Sequence, residues 1–383
     1  MSKLLSVIIP TRNRQFYAFE VIQQILELDV EGVEIVVQDN SDSNDLKCLI
    51  EGLSASNVKY NYTAHQLSFV DNFSKAIELA SGDYLTIIGD DDFITPDIVT
   101  VAQWAKENGI EAVKPEYNAV YRWPAAGVIK NGESDDGILN LYPITGKFKI
   151  KSPKKELKKL LLTGGQYYQF YDLVKLYHGI VKRSKLQELK NKVGVYVGGL
   201  SPDIYLSVAL STIIEKLVVI DYPLTVSGIC KGSGSADSAI GKHTGKLSDA
   251  PHFIGHENYQ WAQQVPHFYS VETIWADSAL AALDDLKYPH RFNSSFLNYL
   301  CLKLYPQFSA VIGEKQVEKF PIKQCYILNG LLTWFITKAV RRLNWLGKPH
   351  AHYSNVSKIC MSYEILKSFI KENNIKLKTI KLS

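Results

Sequence analysis

Several things are scarce in this 383-residue chain, and each scarcity narrows what the protein can be. Its five cysteines, at 48, 230, 301, 325 and 360, are odd in number and widely spaced, and none forms a Cys-x-x-Cys pair. That pattern argues against a disulfide framework and a thiolate zinc site, and fits a reducing compartment. No run approaches the ~18 consecutive apolar residues that cross a bilayer. The opening Met1-Ser2-Lys3-Leu4-Leu5-Ser6-Val7-Ile8-Ile9-Pro10 is too soon interrupted for a signal peptide. The expected location is the cytoplasm. Low-complexity tracts and internal repeats are absent, as is any known nucleic-acid motif. With 46% hydrophobic residues the chain has ample material for a core, and its length suggests two or three domains.

Charge is unevenly distributed. From Cys301 onward there are 14 Lys and Arg against 4 Asp and Glu, whereas the first 300 residues hold 29 against 35. An acidic body with a basic tail suggests an anionic partner for the tail, a membrane surface or an acidic glycan. Cys325 to Ile336 is apolar and is followed by Lys338, Arg341, Arg342 and Lys348, with Trp334 and Trp345 interleaved. An amphipathic helix on an anionic membrane has this composition, and so does a packed helix with a basic outer face.

Hydrophobic patterning predicts strands at Ser6–Ile9, Glu34–Val37, Lys59–Tyr62 and Tyr84–Ile88. Helices are expected over Gln15–Leu28, Asp71–Ala80 and Asp97–Ala105. This alternation implies an α/β fold with a mostly parallel, doubly wound sheet. Ligands of such sheets bind beyond the C-terminal strand ends. Pro10-Thr11, Asp39 and Asp90-Asp91-Asp92 should lie there. Ser201 is the expected N-cap of a helix opening at Pro202 and running to about Ile214. Residues 228–245 read as a linker or as a lid over phosphates. Beyond about residue 250 the pattern is helical.

The acidic triplet is the strongest chemical signal. Adjacent carboxylates repel one another, and a divalent cation removes that penalty. Mg²⁺ and Mn²⁺ take oxygen ligands, commonly one or two carboxylates plus substrate phosphates. The competing reading is a solvated acidic turn. Asp39 can accept from a ribose or a base, or can simply form a turn with Asn40 and Ser41.

Three segments resemble family 2 glycosyltransferases. They are Ser6-Val7-Ile8-Ile9-Pro10-Thr11-Arg12-Asn13-Arg14, Glu34-Ile35-Val36-Val37-Gln38-Asp39-Asn40-Ser41, and Gly82-Asp83-Tyr84-Leu85-Thr86-Ile87-Ile88-Gly89-Asp90-Asp91-Asp92. The resemblance covers the first 100 residues and thins toward residue 225. It implies a GT-A fold, Rossmann-like, followed by a helical C-terminal region. It also implies a nucleoside-diphosphate sugar donor, UDP-sugar favoured, a divalent metal (Mn²⁺ or Mg²⁺) and inversion at the anomeric carbon. Pro10, Thr11, Arg14, Asp39, Asn72, Asp90 and Asp91 are then expected at the donor, and Asp92 at the metal. Relatives often read Asp-x-Asp-Asp here, and Gly89 stands where the first Asp would be.

Inversion requires a base that takes the acceptor's proton. Asp203, at the opening of the helix after Ser201-Pro202, fits in place and context, and Asp172 is the reserve. His243 is a further candidate for the metal, and Lys231 and Lys242 for phosphate oxygens. The absence of Gln-x-x-Arg-Trp argues against a processive synthase.

The expected organisation is a GT-A domain over 1–245, in which residues 1–110 bind the donor and 111–245 face the acceptor. A basic helical region over 246–383, in contact with a membrane or another subunit, is expected to follow. The expected reaction is sugar transfer to a glycan or lipid-linked glycan in bacterial surface polysaccharide assembly, with peripheral contact on the inner membrane face and no nucleic-acid partner. A nucleotidyltransferase of similar fold is one rival, but it should carry a Gly-rich phosphate loop after the first strand. A non-catalytic glycan- or partner-binding protein is the other.

Overall fold

A computed structural model describes residues 3–116, 119–127, 129–130, 133–134, 136–234, 243–256, 258–312 and 323–377. Lys242, one expected phosphate contact, lies outside the described residues, as do 235–241 of the expected loop.

The first half runs β1 Leu5–Thr11, α1 Gln15–Glu27, β2 Val33–Asp39, α2 Asp45–Gly52, β3 Val58–Tyr62, α3 Phe69–Leu79, β4 Tyr84–Ile87, β5 Phe93–Ile94, α4 Asp97–Glu107 and β6 Ala112–Pro115. Then come β7 Ala119–Arg122, the short pair β8 Ile129–Lys130 and β9 Glu133–Ser134, β10 Ile138–Leu141, β11 Phe148–Lys151, α5 Pro153–Leu162, β12 Ile180–Lys182, α6 Arg183–Val193 and α7 Pro202–Ile213. β13 Leu217–Ile220, β14 Thr225–Ile229, β15 Thr244–Gly245 and β16 Tyr269–Ser270 follow. The remaining elements are α8 Val271–Asp285, α9 Ser294–Leu304, α10 Gln324–Trp345, β17 Ala351–Tyr353 and α11 Ile359–Glu372.

The main sheet has eight strands in the order β11-β13-β6-β12-β4-β1-β2-β3. β4, β1, β2 and β3 are mutually parallel, and β12 and β11 are inserted antiparallel. β1 and β2 are buried along their whole length because both faces of the sheet are covered. Val7, Ile9, Ile35 and Val37 point to one core, shared with α1, α2 and α4. Ile8, Val36, Leu85 and Ile87 point to the other, shared with α3, α6 and α7. Alternation along a strand thus feeds two cores, which is what a doubly wound sheet requires. Beneath this end, Glu34 is tied to Ser6, Ser81 and Gly82, with the Ser6 hydroxyl also accepting from the Gly82 amide. A Cβ on Gly82 would lie 2.7 Å from the Ser6 nitrogen, so the glycine lets β4 start beside β1.

A second sheet, β17-β10-β7-β14-β5, stands beside the first. β5 begins immediately after Asp92, so the acidic triplet sits where the chain passes from one sheet to the other. The last segment returns to this body: β17 adds to β10, and Ile359, Leu366 and Phe369 of α11 join the core beneath α1. The division at residue 245 is therefore kept as a proposal about roles, with residues 351–372 packed on the N-terminal body.

Two details differ from expectation. Gly228 and Ile229, expected in the loop, belong to β14. Ser201 occupies the cap position of α7 but accepts no backbone N–H there; its hydroxyl donates to Asp203. Among the described residues no helix is long and apolar enough to cross a membrane.

Candidate active site

Parallel pairing sets Thr11 opposite Asp39 at the C-terminal ends of β1 and β2, and β4 ends one strand over, so three segments far apart in sequence meet at one sheet edge. Thr11 Oγ1 donates to Asp90 Oδ2 at 2.6 Å. Arg14, just before α1, grips the same carboxylate, with Nε 3.1 Å from Oδ2 and Nη2 2.6 Å from Oδ1. Its Nη1 lies 3.8 Å from Asp91 Oδ2. Asn72 of α3 donates weakly to the Thr11 carbonyl at 3.4 Å, leaving its buried Oδ1 without a hydrogen-bond partner among the described residues. Asp39 is fully buried and engaged on both oxygens, by the Ser41 amide and the Tyr60 hydroxyl, each at 2.8 Å. Pro10 adjoins this edge in β1.

All three members of the triplet are buried, and they are used differently. Asp92 turns inward. Its Oδ1 accepts from the Gly228 amide at 2.6 Å, and its Oδ2 from the Gly89 amide at 2.6 Å and the Tyr177 hydroxyl at 3.1 Å. His178 Nε2 lies 3.3 Å from Asp92 Oδ2. Asp92 thereby pins β14 to the end of β4. Asp91 Oδ2 accepts from the Cys230 amide at 3.0 Å, and the Asp91 carbonyl accepts from Trp123 Nε1 at 2.8 Å. The Cys230 side chain also bonds the Asp91 carboxylate, while Asp90 Oδ1 makes no hydrogen bond among the described residues and only pairs with Arg14.

Close approach explains two glycines. A Cβ on Gly228 would lie 1.8 Å from the Asp91 carbonyl oxygen. One on Gly89 would lie 2.6 Å from the Tyr177 hydroxyl and 2.9 Å from Asp91 Oδ1. The departure from Asp-x-Asp-Asp at position 89 thus has a steric reason: Tyr177 fills the space that a side chain there would need.

Electrostatically the corner is short of positive charge. Burial first, then neighbouring carboxylates, pushes Asp90 and Asp92 well above the ordinary carboxylate range, with Arg14 pulling Asp90 back. Burial opposes the charge on Arg14, but Asp90 and Asp91 outweigh it and hold the guanidinium firmly protonated. His178 is pushed down to about 3, mainly by burial and then by Lys175, so it is neutral at pH 7.

Asp203 stands at the opening of α7, partly buried. Its Oδ1 accepts from the Ser201 hydroxyl and the Ile204 amide, and its Oδ2 from the Tyr168 hydroxyl. Lys175, half-buried and pushed down to about 7 by desolvation and Lys114, lies over the Tyr168 ring. It also feels Asp203, and its charge helps keep His178 neutral. Asp172, the reserve base, is consumed elsewhere. Lys114 sits 2.9 Å away, with Lys149 and Lys151 at 3.5 and 3.6 Å.

His243 does not join the triplet. Its ring nitrogens meet the Tyr269 hydroxyl and the Gly234 carbonyl, and its nearest ring neighbours are His252 and Tyr269. Lys231 is exposed beside Cys230. Sequence reasoning missed Tyr177, His178 and Lys175. The run Lys175-Leu176-Tyr177-His178-Gly179 carried a faint signal in its density of polar aromatic and titratable side chains.

Among the described residues no three His, Cys, Asp or Glu side chains form a complete metal cage. The donor set does fit a hard divalent cation completed by phosphate oxygens: carboxylates only, with a single guanidinium as counter-ion.

The carboxylate-rich corner lies at the parallel-sheet edge where ligands of doubly wound α/β folds bind. Residues 6–121 of the chain match glycosyl transferase family 2. Among curated proteins it is 28% identical over 153 residues to the GalNAc(5)-diNAcBac-PP-undecaprenol beta-1,3-glucosyltransferase of Campylobacter jejuni, covering 38% of this chain and 50% of that one. It is 30% identical over 100 residues to the putative colanic acid biosynthesis glycosyl transferase WcaA of Escherichia coli, covering 26% and 36%. The chain thus spans half or less of the length of these curated relatives. Among solved structures, TarS 1–349 of S. aureus in complex with UDP-GlcNAc aligns over 90% of this chain and 98% of that one, with 12% identity and a TM-score of 0.48.

Proposed function

We propose that this protein is an inverting glycosyltransferase that moves a sugar from a nucleoside-diphosphate sugar, UDP-sugar favoured, to an acceptor hydroxyl in bacterial surface polysaccharide assembly. One observation carries the reading: three buried carboxylates at the sheet edge share one guanidinium. The two curated relatives support it, since both are named as glycosyltransferases of glycan assembly, one with an undecaprenol-linked acceptor.

In this reading Asp91 is the carboxylate that faces a Mn²⁺ or Mg²⁺ ion. Asp92, expected at the metal, instead holds the two sheets together behind it, because both its oxygens are already bonded. When bound, the ion neutralises charge that builds on the leaving diphosphate. Thr11 and Arg14 fix Asp90 for the donor's ribose and sugar. Asp39, Asn72 and the backbone of Pro10 and Thr11 line the nucleoside side. Asp203 takes the proton from the acceptor hydroxyl as that oxygen attacks. The Ser201 and Tyr168 hydroxyls and the Ile204 amide hold its carboxylate in place. A carboxylate has about four lone-pair sites, so these three donors leave room for the acceptor. Lys231 reaches toward phosphate oxygens, and His243 joins the metal only if it leaves Tyr269. Within this reading the protein works in the cytoplasm, peripheral to the inner membrane face.

Calorimetry with UDP, with and without Mn²⁺, tests the donor site, and a nucleotide-sugar panel scored for diphosphate release identifies the donor. Metal-dependent UDP binding is expected. Absence of metal-dependent binding to any nucleoside diphosphate would leave a non-catalytic role.

A further inference from the structure

We propose that the outward face of α10 is a docking surface for an anionic lipid bilayer. α10 runs 22 residues, about 33 Å at ~1.5 Å per residue. Its inward face is committed to the protein. A Cβ on Gly330 would lie 2.3 Å from the Phe296 ring, so the glycine lets α10 lie flat on α9. The Trp334 ring packs on Tyr167, and Asn293 Nδ2 holds the Tyr326 carbonyl. Arg341 Nη1 donates to the Phe170 carbonyl at 2.6 Å, and Nη2 pairs with Glu116.

The opposite face is covered by nothing among the described residues. Leu328, Leu332, Phe335, Ile336, Leu343 and Leu346 are each more than half exposed, and their spacing puts them on one helical stripe. Isolated exposed apolar residues need no explanation, but a continuous stripe of this length does.

Charge decides the occupant. From Lys323 to Tyr363 the chain has six Lys and Arg, Lys323 included, and no Asp or Glu. Lys338 and Arg342 flank the stripe and form no ion pair among the described residues, and Lys155 and Lys158 are exposed on α5, which packs against α10. Two copies paired through this face would bring like charges together without a carboxylate to offset them. Anionic headgroups would neutralise both sets while the apolar stripe enters the acyl boundary.

The placement matters for the candidate site. Arg341 holds the turn Tyr168–Phe170, and Tyr168 donates to Asp203. A bilayer seated on α10 therefore lies next to the side of the site where an acceptor would approach. The docking itself rests on no step of the transfer reaction.

Sedimentation of the full chain with vesicles tests it. Wild-type protein should bind vesicles of mixed phosphatidylglycerol and phosphatidylethanolamine, bind phosphatidylcholine vesicles less, and release as salt is raised. The variant L332S/F335S/L343S should bind about tenfold more weakly, and K338E/R342E should lose the preference for anionic lipid. Both should melt as wild type does, because the altered side chains point away from the core. UDP binding with Mn²⁺, measured on the same samples, should be unchanged. Equal vesicle binding by wild type and variants overturns the proposal. So does a wild-type protein that ignores vesicles and forms a dimer broken by L332S/F335S/L343S.

Discussion

Two clusters of buried carboxylates lie on the same sheet, and they are balanced in opposite ways. At the C-terminal edge, Asp90, Asp91 and Asp92 share one cation, Arg14. In the half built from β6 and β11, Glu116 and Asp172 face Lys114, Lys149, Lys151 and Arg341. Burial alone would raise Asp90, Asp92, Glu116 and Asp172. In the second cluster the surplus of positive charge wins and holds Glu116 and Asp172 below the ordinary range. In the first it does not. An over-neutralised cluster has its partners in the chain and is structural. An under-neutralised one at the sheet edge is, in the proposed reading, completed by a cation from outside. By this criterion Asp172 leaves the candidate site and the triplet stays in it.

The comparison breaks most readily at the triplet. D91N and D203N should each lower transfer by about 10³-fold with little change in melting temperature, because the first removes a metal-facing oxygen and the second the base. Steady-state rates with calorimetric Mn²⁺ titration separate the two, since only D91N should lose the metal. Loss of metal by both would make Asp203 a member of the donor site.

The second cluster should respond in stability. D172N leaves Lys114 buried without its closest partner and should cost about 3 kcal/mol at neutral pH, with kcat of the folded fraction unchanged. The folded-state pKa of Asp172 is depressed, first against the effect of burial and then by Lys114 and Lys149. Its contribution is therefore complete above the unfolded value near ~3.9 and fades as pH falls toward the lower folded value. Urea midpoints of wild type and D172N should converge in strong acid. A constant gap across pH would mean that the loss is one of packing.

The smallest expected effect is at Arg14. R14K keeps the charge but loses the two-point grip on Asp90, and the donor KM should rise about tenfold with Mn²⁺ affinity little altered. A collapse in folding would instead mark Arg14 as the triplet's structural counter-ion.

Much of the nucleotide half was legible in the amino-acid pattern. The four expected strands are β1 to β4, each within two residues at either end; β1, β2 and β4 are buried and carry continuous apolar stretches, whereas β3 is only partly buried. α2 went unread: it is one short helix that buries only Leu46 and Ile50. The division of labour within the triplet was not legible at all. It depends on Tyr177, 85 residues from Asp92, and on the Gly228 amide, 136 residues away. Adjacent identical side chains look equivalent until distant partners arrive. The Ser201-Pro202-Asp203 turn was recognised as a helix start, but the hydroxyl serves the carboxylate, which already occupies a first-turn amide.

The space beside Gly89 has room for one tenant. Tyr177 now holds it, with its hydroxyl where a side chain on residue 89 would begin. A chain of this architecture with aspartate at 89 must carry something smaller at 177, and must find another donor for Asp92. The two positions form a swap rather than two independent choices, and any redesign of the acidic corner has to change them together.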